Sequence, residues 1–163
     1  MIARARAMIP MLRERAPQGE RERRLPKETI ADMQAAGLFK VLQPRRWGGY
    51  ELDILTYYEI QMALGEGDMS VAWVYGVVGV HPWFVALLDD RAAKDIWGKD
   101  DNTLICSSLM PSGVAKPADG GFRISGKAAT VELYLAIEKV IDPYPTEFGT
   151  MRYASVGMRL LTR

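Results

Sequence analysis

From Met69 to Leu88 the chain runs twenty residues without Asp, Glu, Lys or Arg, as "MSVAWVYGVVGVHPWFVALL". A run of that length is close to what crosses a bilayer. It therefore admits two outcomes, a membrane span or the helix around which a globular core is assembled. The interruptions favour the second. Gly76, Gly79, His81 and Pro82 fall inside the run, and a backbone freed by proline is costly in lipid unless neighbouring helices satisfy it. Both flanks are acidic, with Glu66 and Asp68 before and Asp89 and Asp90 after, where membrane helices favour basic anchors. The expectation is a buried helix of a globular domain, capped by Asp68 or Ser70 and kinked or restarted at Pro82, with no membrane involved.

A chain of 163 residues with 48% apolar content can build such a core. The charge is balanced, 21 basic against 20 acidic residues for a net +1, so no global field recruits nucleic acid or anionic lipid. The single cysteine, Cys106, excludes an internal disulfide and a multi-cysteine metal site, which suits a reducing cytoplasm. A lone histidine, His81, leaves no histidine-rich metal cluster, so no metal is expected. The opening "MIARARAMIPML" has basic residues but no apolar core before a small-residue cleavage site, so no signal peptide is expected.

Helical punctuation surrounds the apolar run. Through Arg24 the chain is charge-dense; Pro10 is expected to open a helix and the stretch Pro17 to Gly19 to break it. In "LPKETIADMQAAGLF", Pro26 starts a short amphipathic helix, Ile30 and Met33 sit three apart on its apolar face, and Gly37 is its left-handed cap. "RRWGGYELD" reads as a glycine-hinged loop, after which Asp53 caps a helix from Ile54 to Leu64. Asp90 caps a last short helix through Trp97.

Beyond Asn102 the period changes. "TLICSSLM" and "FRISGK" are strand-like, with "PADGG" as a turn between or beside them. From Ala128 the spacing reverts to helical, "DPYPTEFG" breaks it, and Met151, Ala154, Met158 and Leu161 form a further helical stripe. The fold class is thus mainly α: a helical domain over 1–102, the first strands of a β domain over 103–127, and a divergent helical tail over 128–163. Two strands without partners are marginal in water and favour association.

Together "RRLPKETIADMQAAGLFKVLQPRRWGGYELD", "GVVGVHPWFVALLDDRAAKDIWG" and "ICSSLMPSGVAKPADGGFRISGK" resemble the flavin-dependent monooxygenases built on the acyl-CoA dehydrogenase fold. The resemblance extends to oxygenase components that hydroxylate phenols, such as the hydroxylases of 3-hydroxy-seconandrostatriene-dione and of 4-hydroxyphenylacetate. The resemblance runs from about Arg13 to Lys127. It implies an N-terminal helical domain, a middle β-barrel and a C-terminal helical bundle. It also implies a homo-oligomer, reduced FMN or FAD supplied by a separate flavin reductase, and an aromatic small-molecule substrate. No glycine-rich nicotinamide fingerprint is present, which agrees with reduction being done elsewhere.

In "GVH", His81 matches a family histidine beside the phenol hydroxyl. A neutral imidazole there would accept or hold the phenolic proton. On the residues alone it reads equally as a core histidine bonded to a carbonyl at the Pro82 kink. Trp83, two residues on, is a substrate-lining candidate, although tryptophans on helices more often pack. "CSSLMPSG" matches the strand and turn that meet the flavin, making Ser107, Ser108, Leu109 and Met110 candidate cofactor contacts through hydroxyls and backbone amides. Adjacent serines on a strand face opposite ways, so one hydroxyl at most faces the cofactor. Cys106 reads as a small buried hydrophobe, and the "RRWGG" glycines as a tight turn against the barrel.

After "SGK" the family's pattern is lost. "AATVELYLAIEKV" stands where further sheet is expected, and no counterpart appears for the bundle's own pocket histidine. The expectation is a chain that carries the front of a monooxygenase with a foreign or frameshifted tail. Two other readings stay open: a non-catalytic helical interaction module, and an acyl-CoA dehydrogenase-like flavoprotein.

Overall fold

The computed structural model describes residues 1–105 in full and the backbone of 114–118, 121–125, 143–146 and 149–152. Among the described residues, six α-helices carry the chain to Trp97: α1 (Ile2–Glu22), α2 (Lys27–Ala35), α3 (Ile54–Gly67), α4 (Met69–Val78), α5 (His81–Ala86) and α6 (Asp90–Trp97). The expected helical domain is therefore present, and the local caps explain most of its boundaries. Asp53 accepts from the Thr56 amide at 2.9 Å, Asp68 from Ser70 at 2.8 Å, and Gly37 takes the left-handed φ of 74° that ends the α2 turn. Before α6 the cap is Asp89, not Asp90; its carboxylate accepts from the Arg91 amide at 2.9 Å.

α1 corrects the reading at both prolines. It runs unbroken past Pro10 and Pro17. The two rings stand seven residues apart on its exposed face, so the carbonyls they deprive of a partner, those of Arg6 and Arg13, belong to the side nearer water. The opposite face is fixed by packing. Ala5, Met8 and Leu12, spaced by three and four, are buried in the core, and α1 lies against α3 along its length. Leu12 sits so close to Gly67 that a Cβ there would come within 2.8 Å of it, and Arg13 caps the end of α3 with two bonds of 3.1 Å to the Glu66 carbonyl. Tertiary burial outweighs the two missing helical bonds.

The principal core joins α1, α2, α3, α4 and the turn after α2 around Leu12, Met33, Leu38, Tyr57, Ile60, Leu64 and Tyr75. Tyr57 and Tyr75 stack at 4.9 Å, and the Tyr57 hydroxyl donates to the Gly76 carbonyl at 2.8 Å. A smaller cluster of Val85, Ala93 and Trp97 lies to one side.

The apolar run is divided. α4 ends at Val78 and α5 begins at His81, as Pro82 predicts. Ten residues of α4 measure about 15 Å, half a hydrocarbon layer. The run is less buried than expected: over Met69–Ala86 the mean hydropathy is 1.3 but only 33% of the window is buried. Its solvent side shows Met69 at 73% and Trp73 at 72% exposure.

Further on, β1 (Val114–Ala118) pairs antiparallel with β2 (Gly121–Ser125), and β3 (Pro143–Thr146) with β4 (Gly149–Arg152). "FRIS" is a strand as expected, while Pro117 and Ala118, expected in the turn, belong to β1 opposite Phe122 and Gly121. β3 and β4 occupy "PYPT" and "GTMR", where a helix breaker and the start of a helical stripe at Met151 were expected. A two-stranded ribbon tolerates proline because an outward N–H has no ladder partner to lose. Of the strand expected over "TLICSSLM", Thr103, Leu104 and Ile105 are irregular, their segment tied by the Thr103 amide to the Asp100 carbonyl at 3.2 Å, and Cys106 to Met110 lie outside the described residues, as does the helix expected from Ala128.

Candidate functional site

His81 opens α5 with its ring buried, 8% exposed. Pro82 has no N–H for the Val78 carbonyl, and at this seam the imidazole turns back on α4, with Nδ1 2.5 Å from the Val77 carbonyl oxygen. A carbonyl can only accept, so Nδ1 carries the proton and donates. In the neutral ring that makes Nε2 the basic nitrogen. Burial holds the imidazole pKa below the ordinary histidine value, and the Val77 and Val78 carbonyls oppose part of the shift. The ring is thus kept neutral near pH 7 and its tautomer is set. Phe84 meets it edge-on at 6.1 Å.

Trp83 sits on the same helix but points away from this burial, 47% exposed and tilted against Phe84 at 5.2 Å. Among the described residues, Trp83 and His81 do not share an enclosed pocket. Ser107, Ser108, Leu109 and Met110 lie outside the described residues, as does Cys106. No cluster of three metal-ligating side chains occurs among the described residues.

A second constellation escaped sequence reading. After the turn Leu38–Lys40 the chain enters the "RRWGG" loop, folds back, and returns beside itself: the amides of Tyr50, Glu51 and Leu52 donate to the carbonyls of Lys40, Gln43 and Val41. Gly49 permits this, since a Cβ would stand 2.0 Å from the Gln43 carbonyl oxygen. Gly48, at φ 81°, faces Asp101 so closely that its Cβ would meet the carboxylate. The loop glycines were expected to turn tightly against a barrel; among the described residues Gly48 meets Asp101 in the segment after α6 and Gly49 meets the Gln43 backbone.

That segment is held by side chains from three places. Gln43, 2% exposed, donates from Nε2 to the Asp101 carbonyl at 3.0 Å and to the Trp47 carbonyl. Gln34 of α2 donates to the Asn102 carbonyl at 3.2 Å, and Trp97 of α6 donates from Nε1 to the Thr103 carbonyl at 3.3 Å. Lys40 adds an ion pair of 2.9 Å with the Asp101 carboxylate. A cleft lined by Gln34, Lys40, Gln43 and the 101–105 segment has about 10 Å³ of space, room for about one water. The only local hint was the Gly-Gly pair, because Gln34 and Gln43 lie 68 and 58 residues from the carbonyls they hold.

The helical order, the caps and the loop packing define an acyl-CoA dehydrogenase-type N-terminal domain: residues 4–90 match the family described as acyl-CoA dehydrogenase, N-terminal domain, and the chain belongs to that family. Within it the chain is similar to flavin-dependent monooxygenase oxygenase subunits. It is 38% identical over 120 residues to the oxygenase subunit HsaA of Rhodococcus jostii (strain RHA1), covering 74% of this chain and 31% of that protein. It is 33% identical over 129 residues to the oxygenase component of an FADH(2)-dependent resorcinol hydroxylase from Rhizobium sp. (strain MTP-10005), covering 79% of this chain and 32% of that protein. The crystal structure of 3-HSA hydroxylase from Rhodococcus sp. RHA1 superposes with a TM-score of 0.73 at 38% identity, over 76% of this chain and 33% of the other. The chain spans about a third of the length of the relatives it matches.

Proposed function

We propose that this chain serves in the oxygenase component of a two-component flavin-dependent monooxygenase that hydroxylates a phenolic or polycyclic aromatic substrate. The observation that carries the reading is the 38% identity over 120 residues to an HsaA oxygenase subunit. Its partners would be a flavin reductase and, by association, further copies of itself. Reduced FMN or FAD, when bound, would supply the electrons that activate O2.

Among the described residues, His81 and Trp83 would serve on the substrate side. His81, neutral and held by Val77 as the Nδ1–H tautomer, would take or share a phenolic proton at Nε2, raising electron density on the ring. Trp83 would line the aromatic substrate from the open side. Ser107, Ser108, Leu109 and Met110 would meet the flavin ring through hydroxyl and backbone donors.

A second reading, a helical interaction module without catalysis, draws on one observation. α3 shows Leu55, Tyr58 and Met62 to solvent, and α4 shows Met69, Trp73 and Val77, an apolar surface of the kind that partners cover. Anaerobic titration of the purified chain with reduced FMN and FAD, with mass measured in the same sample, separates the two. Saturable binding near one flavin per chain supports the oxygenase reading. A folded chain that binds no flavin at high micromolar concentration leaves the module.

A further inference from the structure

The grip on residues 101–105 has the form of peptide recognition within one chain. Three consecutive carbonyls, those of Asp101, Asn102 and Thr103, each accept from a side-chain donor on a different element: Gln43, Gln34 and Trp97. Main-chain oxygens in an irregular segment are ordinarily satisfied by water or by turns. Committing three separate side chains to them fixes the segment's height, direction and register. Lys40 fixes the remaining freedom through the Asp101 carboxylate, and the Gly48 backbone closes on that same carboxylate. The donors are themselves rigid. Gln43 and Lys40 stand on the doubled-back loop, and Trp97 is buried in the smaller core.

Two residues after Ile105 comes Ser107. From the clamp and its place in the chain, we infer that Gln34, Lys40, Gln43 and Trp97 are positioning residues. They deliver the chain after Ile105, with its candidate flavin contacts Ser107 to Met110, at one defined point of the helical domain. The inference deepens the oxygenase reading and rests on it for the role of the delivered segment. The chemistry is selective for position, not for side chain, because every acceptor but one belongs to the backbone. The clamp touches neither flavin nor substrate and acts only through what it holds.

The test uses the full chain in three variants. Gln43→Leu keeps volume and removes both donated bonds, Trp97→Phe keeps an aromatic ring in the smaller core and removes one, and Lys40→Met keeps the stem and removes the ion pair. Arg15→Met, which breaks the 2.7 Å pair with Asp32 elsewhere on the domain, is the control. Hydrogen exchange by mass spectrometry reads peptides over 99–110 against peptides of α1 and α3, and anaerobic titration reads the reduced-flavin Kd. The expected result is protection lost about tenfold over 99–110 alone, with Kd weakened by about tenfold, in the three clamp variants and not in the control. Protection unchanged over 99–110, protection lost equally in α1 and α3, or protection lost there with the Kd unmoved would each overturn the inference. If the wild-type chain binds no flavin, the oxygenase reading falls instead, and the exchange pattern alone decides whether the clamp exists.

Discussion

Around Leu12, Met33, Tyr57 and Leu64 the chain buries apolar side chains against one another, whereas beside Trp97 it grips the main-chain oxygens of 101–103 with polar ones. Each large side chain in the first region contributes about 1.5–3 kcal/mol by leaving water, with little regard to direction. A hydrogen bond in the second contributes about 0.5–1.5 kcal/mol net, but only along one line. The first region makes the domain stable; the second makes one segment's place definite. A chain that must present a loop at a fixed point has use for both.

The contrast can be broken most heavily at Leu12. Leu12→Ala empties a fully buried site between α1 and α3 and should cost about 2–5 kcal/mol of unfolding free energy in denaturant titration. A loss under 1 kcal/mol would mean that α1 is not integral to the core. Gly49→Ala attacks the other region, forcing a methyl against the Gln43 carbonyl; about 1–3 kcal/mol should go, together with selective exposure of 99–110 in exchange. Loss of stability without that exposure would uncouple the loop from the clamp. Tyr75→Phe sharpens the apolar side, because the buried Tyr75 hydroxyl has no hydrogen-bond partner among the described residues. Removing it should be neutral or stabilising by up to about 1 kcal/mol, and a thermal melt showing clear destabilisation would reveal a partner for that oxygen.

The smallest effect lies at His81, between the two regions. Its folded pKa is depressed by burial, so the unfolded chain binds more protons as the pH falls below the ordinary histidine value near 6.5. The stability it contributes is complete above that value and is lost as pH falls through the folded pKa. His81→Asn, which keeps a donor for Val77, should flatten this part of the stability–pH curve. An unchanged slope between pH 7 and 5 would place the proton uptake elsewhere.

What the sequence disclosed was local. Asp53, Asp68 and Gly37 act within three residues of themselves, so cap chemistry alone located their helices. Pro10 and Pro17 misled because their local preference lost to the burial of Ala5, Met8 and Leu12, which depends on α3 being present. Asp89 replaced Asp90 as a cap because either carboxylate suits that position by type, and only backbone geometry separates them. At the candidate site His81 was marked by the resemblance that "GVH" carries, since the residues alone read as well as a core histidine, and the Pro82 seam supplied its partner. The clamp stayed hidden because glutamine and lysine at 34, 40 and 43 look like ordinary surface residues until Asp101 is folded against them.

The backbone character of that grip bears on how the chain can change over evolutionary time. The donors from Gln34 and Trp97 hold Asn102 and Thr103 by main-chain oxygens that every residue possesses, while the side chains of these two serve only the local turn through Asp100 and Asp101. Beyond the carboxylate that Lys40 asks for at Asp101, a receptor built this way makes few demands on what it receives. Different sequences could succeed one another after Ile105 and still leave the helical domain from the same spot, which turns the end of α6 into a socket and the β region into an exchangeable part.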